Sequence, residues 1–469
     1  MTAAITYEST RGGSPTLSFN DVLLTGLAPD GGLYVPHKWP RLDPKTLKSL
    51  AGAPYTQAAY EVISLFVDEA FPSETLKDMI EAAYGRFSHL AVAPLTQIDA
   101  DDFVMELHHG PTLAFKDVAM QLLGPMFAHA LSSQGRKMTI VAATSGDTGG
   151  AAIDAMANRE GVNICVLHPE GRISEVQRRF MTTVEADNVL NIAVKGTFDD
   201  CQAMVKAMFA DDQFREDVSL GAVNSINWAR IIAQVVYYVT TSLTLSRDGT
   251  PVSFSVPTGN FGDIFAGFVA KQLGAPVGRL IVATNANDIL DRALRAGDYT
   301  PAGVVETQTP SMDIQVSSNF ERLLYMASGK EAKFVAELMA QLKSGDGFSL
   351  PPDLVQSIAA DFSSYRSDES MTAGMMAKMW IENSYLIDPH TAVGIVAAEG
   401  ARQDGLTGPL VTLSTAHAAK FPDAVEEATG IRPALPPRVR DLYARDEVMT
   451  SLPNDLSVVM QAIRDGFKG

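Results

Sequence analysis

Met138-Thr139-Ile140-Val141-Ala142-Ala143-Thr144-Ser145-Gly146-Asp147-Thr148-Gly149-Gly150 is the stretch that decides the fold. Its first six residues form a short, largely apolar and β-branched run, without the alternation expected of a strand that has one wet face. Such a run reads as a strand covered on both sides. The glycine- and hydroxyl-bearing turn after it opens a helix, giving a strand-turn-helix unit. Val162 to Leu167 and Val189 to Val194 repeat the pattern, each followed by a helical segment. Val252 to Val256 runs into Pro257-Thr258-Gly259-Asn260-Phe261-Gly262-Asp263, Leu280 to Thr284 precedes Asn285-Ala286-Asn287, and Leu410 to Leu413 reads as a late strand. The expected fold is α/β, with two open twisted parallel-sheet domains flanked by helices.

The 469 residues are too many for one simple core. The expected division is a mostly helical region over 1–95 packed on the larger domain, a smaller α/β domain over 96–245, and a larger one over 246–469. In the first region Pro72-Ser73 starts a helix that places Leu76, Met79, Ile80 and Ala83 on one face. Ser174-Glu175-Val176-Gln177 has the spacing of a capping box. Residues 344–370, rich in Gly, Pro, Ser and Asp, read as connections around a short helix. No internal repeat or low-complexity tract is present.

A net charge of −18 with no long Lys/Arg run argues against nucleic acid and anionic membranes as partners. Cys165 and Cys201 are the only cysteines and read as core residues, not as a disulfide or metal site. The first residues lack a basic region followed by an apolar run, and the most apolar segment, Ile231 to Leu245, is too short to span a bilayer. A cytoplasmic protein is expected, and its composition is compatible with a monomer.

Several segments suggest chemistry. His109-Gly110-Pro111-Thr112-Leu113-Ala114-Phe115-Lys116-Asp117 puts a lysine in an apolar, turn-bounded setting, where desolvation lowers the amine pKa and frees a lone pair for attack on a carbonyl. The plainer alternative is a lysine at a helix start with its stem packed and its head in water. The loops at 144–150 and 259–263 each join a strand to a helix, where free amides and the helix dipole favour an anion; tight turns need glycine in any case. Neither fits a P-loop or a dinucleotide fingerprint. Ser414 and Thr415 put hydroxyls at a strand's carboxyl end, or form a helix cap. Asn319 could cap a helix, while Arg322 could reach a phosphate. His108, His109, His390 and His417 have no metal-ligand spacing and read as structural. No Gly-x-Ser-x-Gly elbow is present.

A buried-lysine motif, two anion loops and a late strand-end hydroxyl, in that order, resemble the fold-type II pyridoxal phosphate enzymes. In detail the wording is similar to the threonine synthase family. The resemblance runs through Tyr7-Glu8-Ser9-Thr10-Arg11-Gly12, Gly26 to Pro36, the lysine motif, Ser145-Gly146-Asp147-Thr148-Gly149, Asn224 to Arg230, the 259–263 loop, Ser311 to Arg322, Asp388 to Gly394, and Thr415 to Phe421. The family pattern commonly has proline where this chain has Ala418.

This resemblance implies pyridoxal 5'-phosphate as cofactor, no metal, and a carbon–oxygen lyase acting on phosphates. Lys116 would hold the cofactor as a Schiff base and then move protons. Gly259, Asn260, Phe261, Gly262 and Asp263 would surround the cofactor phosphate, and Thr415 would face the pyridine nitrogen. Ser145, Gly146, Asp147, Thr148 and Gly149 would receive the substrate carboxylate, with Ser317, Asn319 and Arg322 toward its phosphate. The implied reaction turns O-phospho-L-homoserine and water into L-threonine and phosphate. Other readings are a phospho-lyase giving 2-oxobutyrate and ammonia from the same substrate, a dehydratase of free serine or threonine, and a non-catalytic regulator that binds an amino acid or nucleotide.

Overall fold

The apolar runs form two parallel sheets in a computed structural model that describes residues 5–467 apart from 145, 222–224 and 247. The larger sheet has the spatial order Phe362–Arg366, Val277–Thr284, Val252–Pro257, Leu410–Ser414, Asp102–Glu106, Leu95–Gln97. All its pairings are parallel except the last, at the edge. The smaller sheet runs Thr450–Pro453, Val189–Lys195, Val162–Pro169, Met138–Ala143, Leu220–Gly221 and is wholly parallel. Val252–Pro257 is buried at every position, as expected for a strand with both faces covered.

Sheet membership cuts across the expected boundaries at 95/96 and 245/246. Leu95–Gln97 and Asp102–Glu106 lie in the larger sheet, because Asp102–Glu106 pairs along its whole length with Leu410–Ser414. At the other end of the chain, Thr450–Pro453 crosses back to pair with Val189–Lys195. The following helix, Leu456–Gly466, buries Val459, Met460 and Ile463 with Val194, Cys201 and Phe214. This return covers an edge that would otherwise leave backbone groups open.

The N-terminal region rests on aromatic packing. Trp228 lies at ring-centroid distances of 6.0 Å from Tyr7, 6.0 Å from Trp39 and 5.9 Å from Phe66. The helix Trp228–Leu245 that it begins packs against Gly262–Gln272, so the region is fastened to the larger sheet through helices. Ser73–Tyr84 buries Leu76, Met79, Ile80 and Ala83, as the spacing predicts.

Two local expectations need correction. The segment 344–370 contains the edge strand Phe362–Arg366, where polar Ser363, Ser364 and Arg366 hide the strand signal. Ser174 accepts from the Gln177 amide at 3.3 Å, but the Gln177 side chain does not complete a capping box; its Nε2 donates to Asp147 Oδ1 at 3.0 Å. Cys165 and Cys201 are buried free thiols. Among the described residues no helix is long and apolar enough to cross a membrane, and no acidic, histidine or cysteine cluster could hold a metal ion.

Candidate active site

Lys116 is the first residue of the helix Lys116–Ser133 and is only 8 % exposed. The loop before it is locked on both sides. Phe115 N–H donates to the Thr415 carbonyl at 2.8 Å, His417 N–H to the Leu113 carbonyl at 3.0 Å, and Ala114 bridges Ala416. Leu113 sits at φ 62°, a left-handed conformation costly for a leucine and tolerated where surrounding structure enforces it. Arg438 clamps the carbonyls of His108, His109 and Gly110. Burial pushes the Lys116 amine below the usual lysine range; nearby Asp147 opposes this, while Lys420 and Arg230 add to it.

Asp147 is the hub. Its Oδ2 lies 3.5 Å from Lys116 Nζ and accepts from Ser311 Oγ at 3.4 Å. Its Oδ1 lies 2.8 Å from Lys420 Nζ and accepts from Gln177 at 3.0 Å. Although burial alone would raise this carboxyl, the Lys420 ammonium, joined by Lys116 when it is protonated, holds it well below the usual carboxylate range. Within the same loop, Gly146 and Gly149 both donate their N–H to Thr144 Oγ1 at 3.0 Å. Those two amides are therefore closed to a ligand, leaving those of Asp147 and Thr148 at the helix start. Ser145 lies outside the described residues.

The second loop is built the opposite way. None of the backbone N–H groups of Gly259, Asn260, Phe261, Gly262 and Asp263 has an acceptor among the described residues. Phe261 takes φ 62°, which gathers successive amides into a concave nest at the N-terminus of Gly262–Gln272. A Cβ on Gly259 would stand 2.7 Å from the Ser311 carbonyl oxygen, so only glycine fits. The Asp263 side chain turns away from the nest: Oδ1 accepts from Tyr237 at 2.5 Å and from Tyr238 at 2.9 Å, and burial pushes its pKa up to about 6. Thr415 is buried at the end of Leu410–Ser414, and its hydroxyl has no partner among the described residues.

Ser317, Asn319 and Arg322 do not sit as a phosphate site. Ser317 Oγ donates to the Gly259 carbonyl at 2.6 Å. Asn319 makes no side-chain cap; its Nδ2 donates to Asn260 O at 2.9 Å and Ser225 O at 3.1 Å. Arg322 is fully buried, donating to Tyr34 O at 3.0 Å, Ile226 O at 2.7 Å and Asn319 Oδ1. These residues hold the nest from behind. Arg230, by contrast, is 5 % exposed and its guanidinium has no acceptor among the described residues. Burial pulls its pKa down to about 10. Arg230 and Lys420 went unassigned in the sequence, although both stand in apolar runs, Trp228-Ala229-Arg230-Ile231-Ile232 and Ala418-Ala419-Lys420-Phe421, the signal that singled out Lys116.

The histidines are mainly structural. His390 Nδ1 pairs with Asp388 at 2.8 Å, His109 with Glu106 at 2.7 Å, and His417 Nδ1 accepts from Ala419 N–H at 3.1 Å.

Comparison with known proteins places this chain in a family. Residues 6–84 match the threonine synthase N terminus, 391–463 the threonine synthase C-terminal family, and 92–415 the pyridoxal-phosphate dependent enzyme family. The threonine synthase of Pseudomonas aeruginosa is 49% identical over 454 residues, covering 97% of both chains. The chain belongs to the threonine synthase family. A crystal structure of pyridoxal phosphate-bound threonine synthase from Brucella melitensis superposes with a TM-score of 0.97 at 49% identity, covering 99% of this chain and 100% of that one. Yeast threonine synthase gives 0.94 at 38% identity, with 99% of each chain covered. The fold is thus the fold-type II arrangement of this pyridoxal phosphate-dependent family.

Proposed function

We propose that this chain converts O-phospho-L-homoserine and water into L-threonine and inorganic phosphate, with Lys116 as the proton-moving amine. The observation that carries the reading is the pairing of a buried, pKa-depressed lysine with a nest of five amides that have no acceptor among the described residues. Such a nest fits a phosphate, and the Thr415 hydroxyl, without a partner among the described residues, fits a ring nitrogen, so the residues present suit pyridoxal phosphate. When bound, the cofactor supplies an electron sink for the pair left by Cα deprotonation.

The chain's own groups then divide the work. Lys116 takes the Cα proton and moves a proton from Cβ to Cγ as the Cγ–O bond to phosphate breaks; water oxygen then joins Cβ, the proton that water gives up goes to the departed phosphate, and a proton returns to Cα. The amides of Asp147 and Thr148 face the substrate carboxylate. Arg230 takes the substrate phosphate: a buried guanidinium without a carboxylate partner among the described residues is costly to keep, and a dianion satisfies it. Since neutral Thr415 stabilises positive charge on the ring less than a carboxylate would, substrate positioning must make up the difference.

The test is direct. Purified protein loaded with pyridoxal phosphate and given O-phospho-L-homoserine should release threonine and phosphate in equal yield. Oxobutyrate with ammonia would replace the reading with a phospho-lyase, and no turnover would overturn it.

A further inference from the structure

Lys420 is buried more deeply than Lys116, at 1 % exposed, yet the reaction gives it no task. Its Nζ sits between Asp147 Oδ1 at 2.8 Å and the Thr112 carbonyl at 2.8 Å, with the Phe180 ring centroid at 5.2 Å. Thr112 is held in turn by Asp117, to which it donates from both N–H, at 2.8 Å, and Oγ1, at 2.7 Å. Lys420 therefore joins the loop before Lys116 to the carboxylate beside it. Asp147 is shared unequally: 2.8 Å to Lys420, but 3.5 Å to Lys116.

We propose that Lys420 is a positioning residue that keeps Lys116 available as a neutral amine, by engaging Asp147 so that this carboxylate does not hold Lys116 as an ammonium. Left with Asp147 alone in a dry site, Lys116 would form a close ion pair and stay protonated. With Lys420 in place, the carboxylate's field is largely cancelled and the second ammonium repels a proton on the first. The charged groups facing Lys116 are Asp147, Lys420 and Arg230, and Asp263 senses it from the second loop. Those facing Lys420 are Asp147, Lys116 and Asp117. Among the described residues Asp147 is the one carboxylate paired with both lysines. The inference rests on Lys116 being the reactive amine, and not on which product the enzyme releases.

The experiment is trace acetylation of the full-length, cofactor-free chain with acetic anhydride across a pH series, with Lys116 labelling read by peptide mass spectrometry. Lys420→Met should move the labelling midpoint of Lys116 upward by about one pH unit or more, and Lys420→Arg should restore it. Asp147→Asn should move it downward, and adding Lys420→Met to Asp147→Asn should bring it back up toward the wild type. A merely structural Lys420 would alter stability without this pattern of opposite shifts. A midpoint in Lys420→Met at or below the wild-type value overturns the proposal. If Lys420→Met fails to fold, the Asp147→Asn pair decides, since neither variant buries an unpaired carboxylate at 147; coincident midpoints with and without Lys420 overturn it. Threonine formation by the wild type is scored separately, so failure of the reaction and failure of this inference give different results.

Discussion

Asp147 and Asp263 each follow a glycine in the first turn of a helix entered from a parallel strand, Asp147 as its first residue and Asp263 as its second. Their chemistry is opposite. Asp147 faces two lysines and is held ionised; Asp263 faces two tyrosine hydroxyls in a site that resists charge, and its pKa rises to about 6. The amides differ as well. The first loop closes two of its N–H groups onto Thr144, while the second leaves five without acceptors among the described residues. Ser311 bridges the two, with its hydroxyl 3.4 Å from Asp147 Oδ2 and its carbonyl against Gly259. A strand-Gly-Asp-helix turn is thus a frame whose electrostatic character is set by what packs against it. In the function proposed above, one turn manages a proton on an amine and the other receives an anion.

Removing the amine breaks the comparison most severely. Lys116→Ala should abolish the lysine-linked cofactor absorbance and lower turnover by a factor on the order of 10⁴, to background. Turnover at a comparable rate would end the mechanism. Next in size is the contrast between the two buried arginines. Arg322→Gln should destabilise the fold by about 3 kcal/mol, because it strands the carbonyls of Tyr34 and Ile226; thermal unfolding measures this. Arg230→Gln removes a buried charge and should leave the melting temperature of the cofactor-free chain equal or raised, but raise KM for the phosphorylated substrate by roughly 10 to 100-fold. If the two variants exchanged these signatures, the phosphate would belong to Arg322 after all.

That contrast also marks how far the sequence could be read. The runs at 138–143, 162–167, 189–194 and 252–256 were legible because a strand covered on both faces must be largely apolar. The two glycine loops were legible because their geometry requires the residues that spell them. Thr450–Pro453 was not, since its residues are largely exposed and its place comes from a sheet edge more than two hundred residues earlier. Arg230 and Arg322 carry nearly the same local signal, a cation within an apolar helix. Among the described residues only the acceptors around Arg322 separate a structural arginine from one whose guanidinium has none, and two of them, the Tyr34 and Ile226 carbonyls, come from distant parts of the chain. Lys420 was hidden for the same reason, because its partner Asp147 lies far back in the sequence.

A smaller effect comes from the closeness of Gly259 to Ser311. Gly259→Ala should force the Ser311 backbone or the nest to shift, weakening pyridoxal phosphate binding by about tenfold. Fluorescence titration of the cofactor-free chain measures it. Unchanged affinity would mean that the nest does not receive the cofactor phosphate.

The smallest signal sharpens the contrast between the two aspartates. Asp263 has a folded pKa of about 6, above the ordinary carboxyl value of 3.8, so the folded chain binds this proton more tightly than the unfolded one. Its stabilising contribution is present in full below the unfolded value and is lost as pH rises through about 6. Asp117, also raised to about 6, titrates in the same window but is common to both chains, so it cancels when the variant is compared with the wild type. Asp263→Asn cannot titrate and retains an acceptor for a tyrosine. Its melting temperature relative to the wild type should therefore climb by on the order of a few degrees between about pH 4 and 6, then stay level. Differential scanning fluorimetry of the two cofactor-free proteins reads this difference. A flat or falling difference across that window would mean that Asp263 is ionised as readily as a surface carboxylate, and the two turns would then differ in their amides alone.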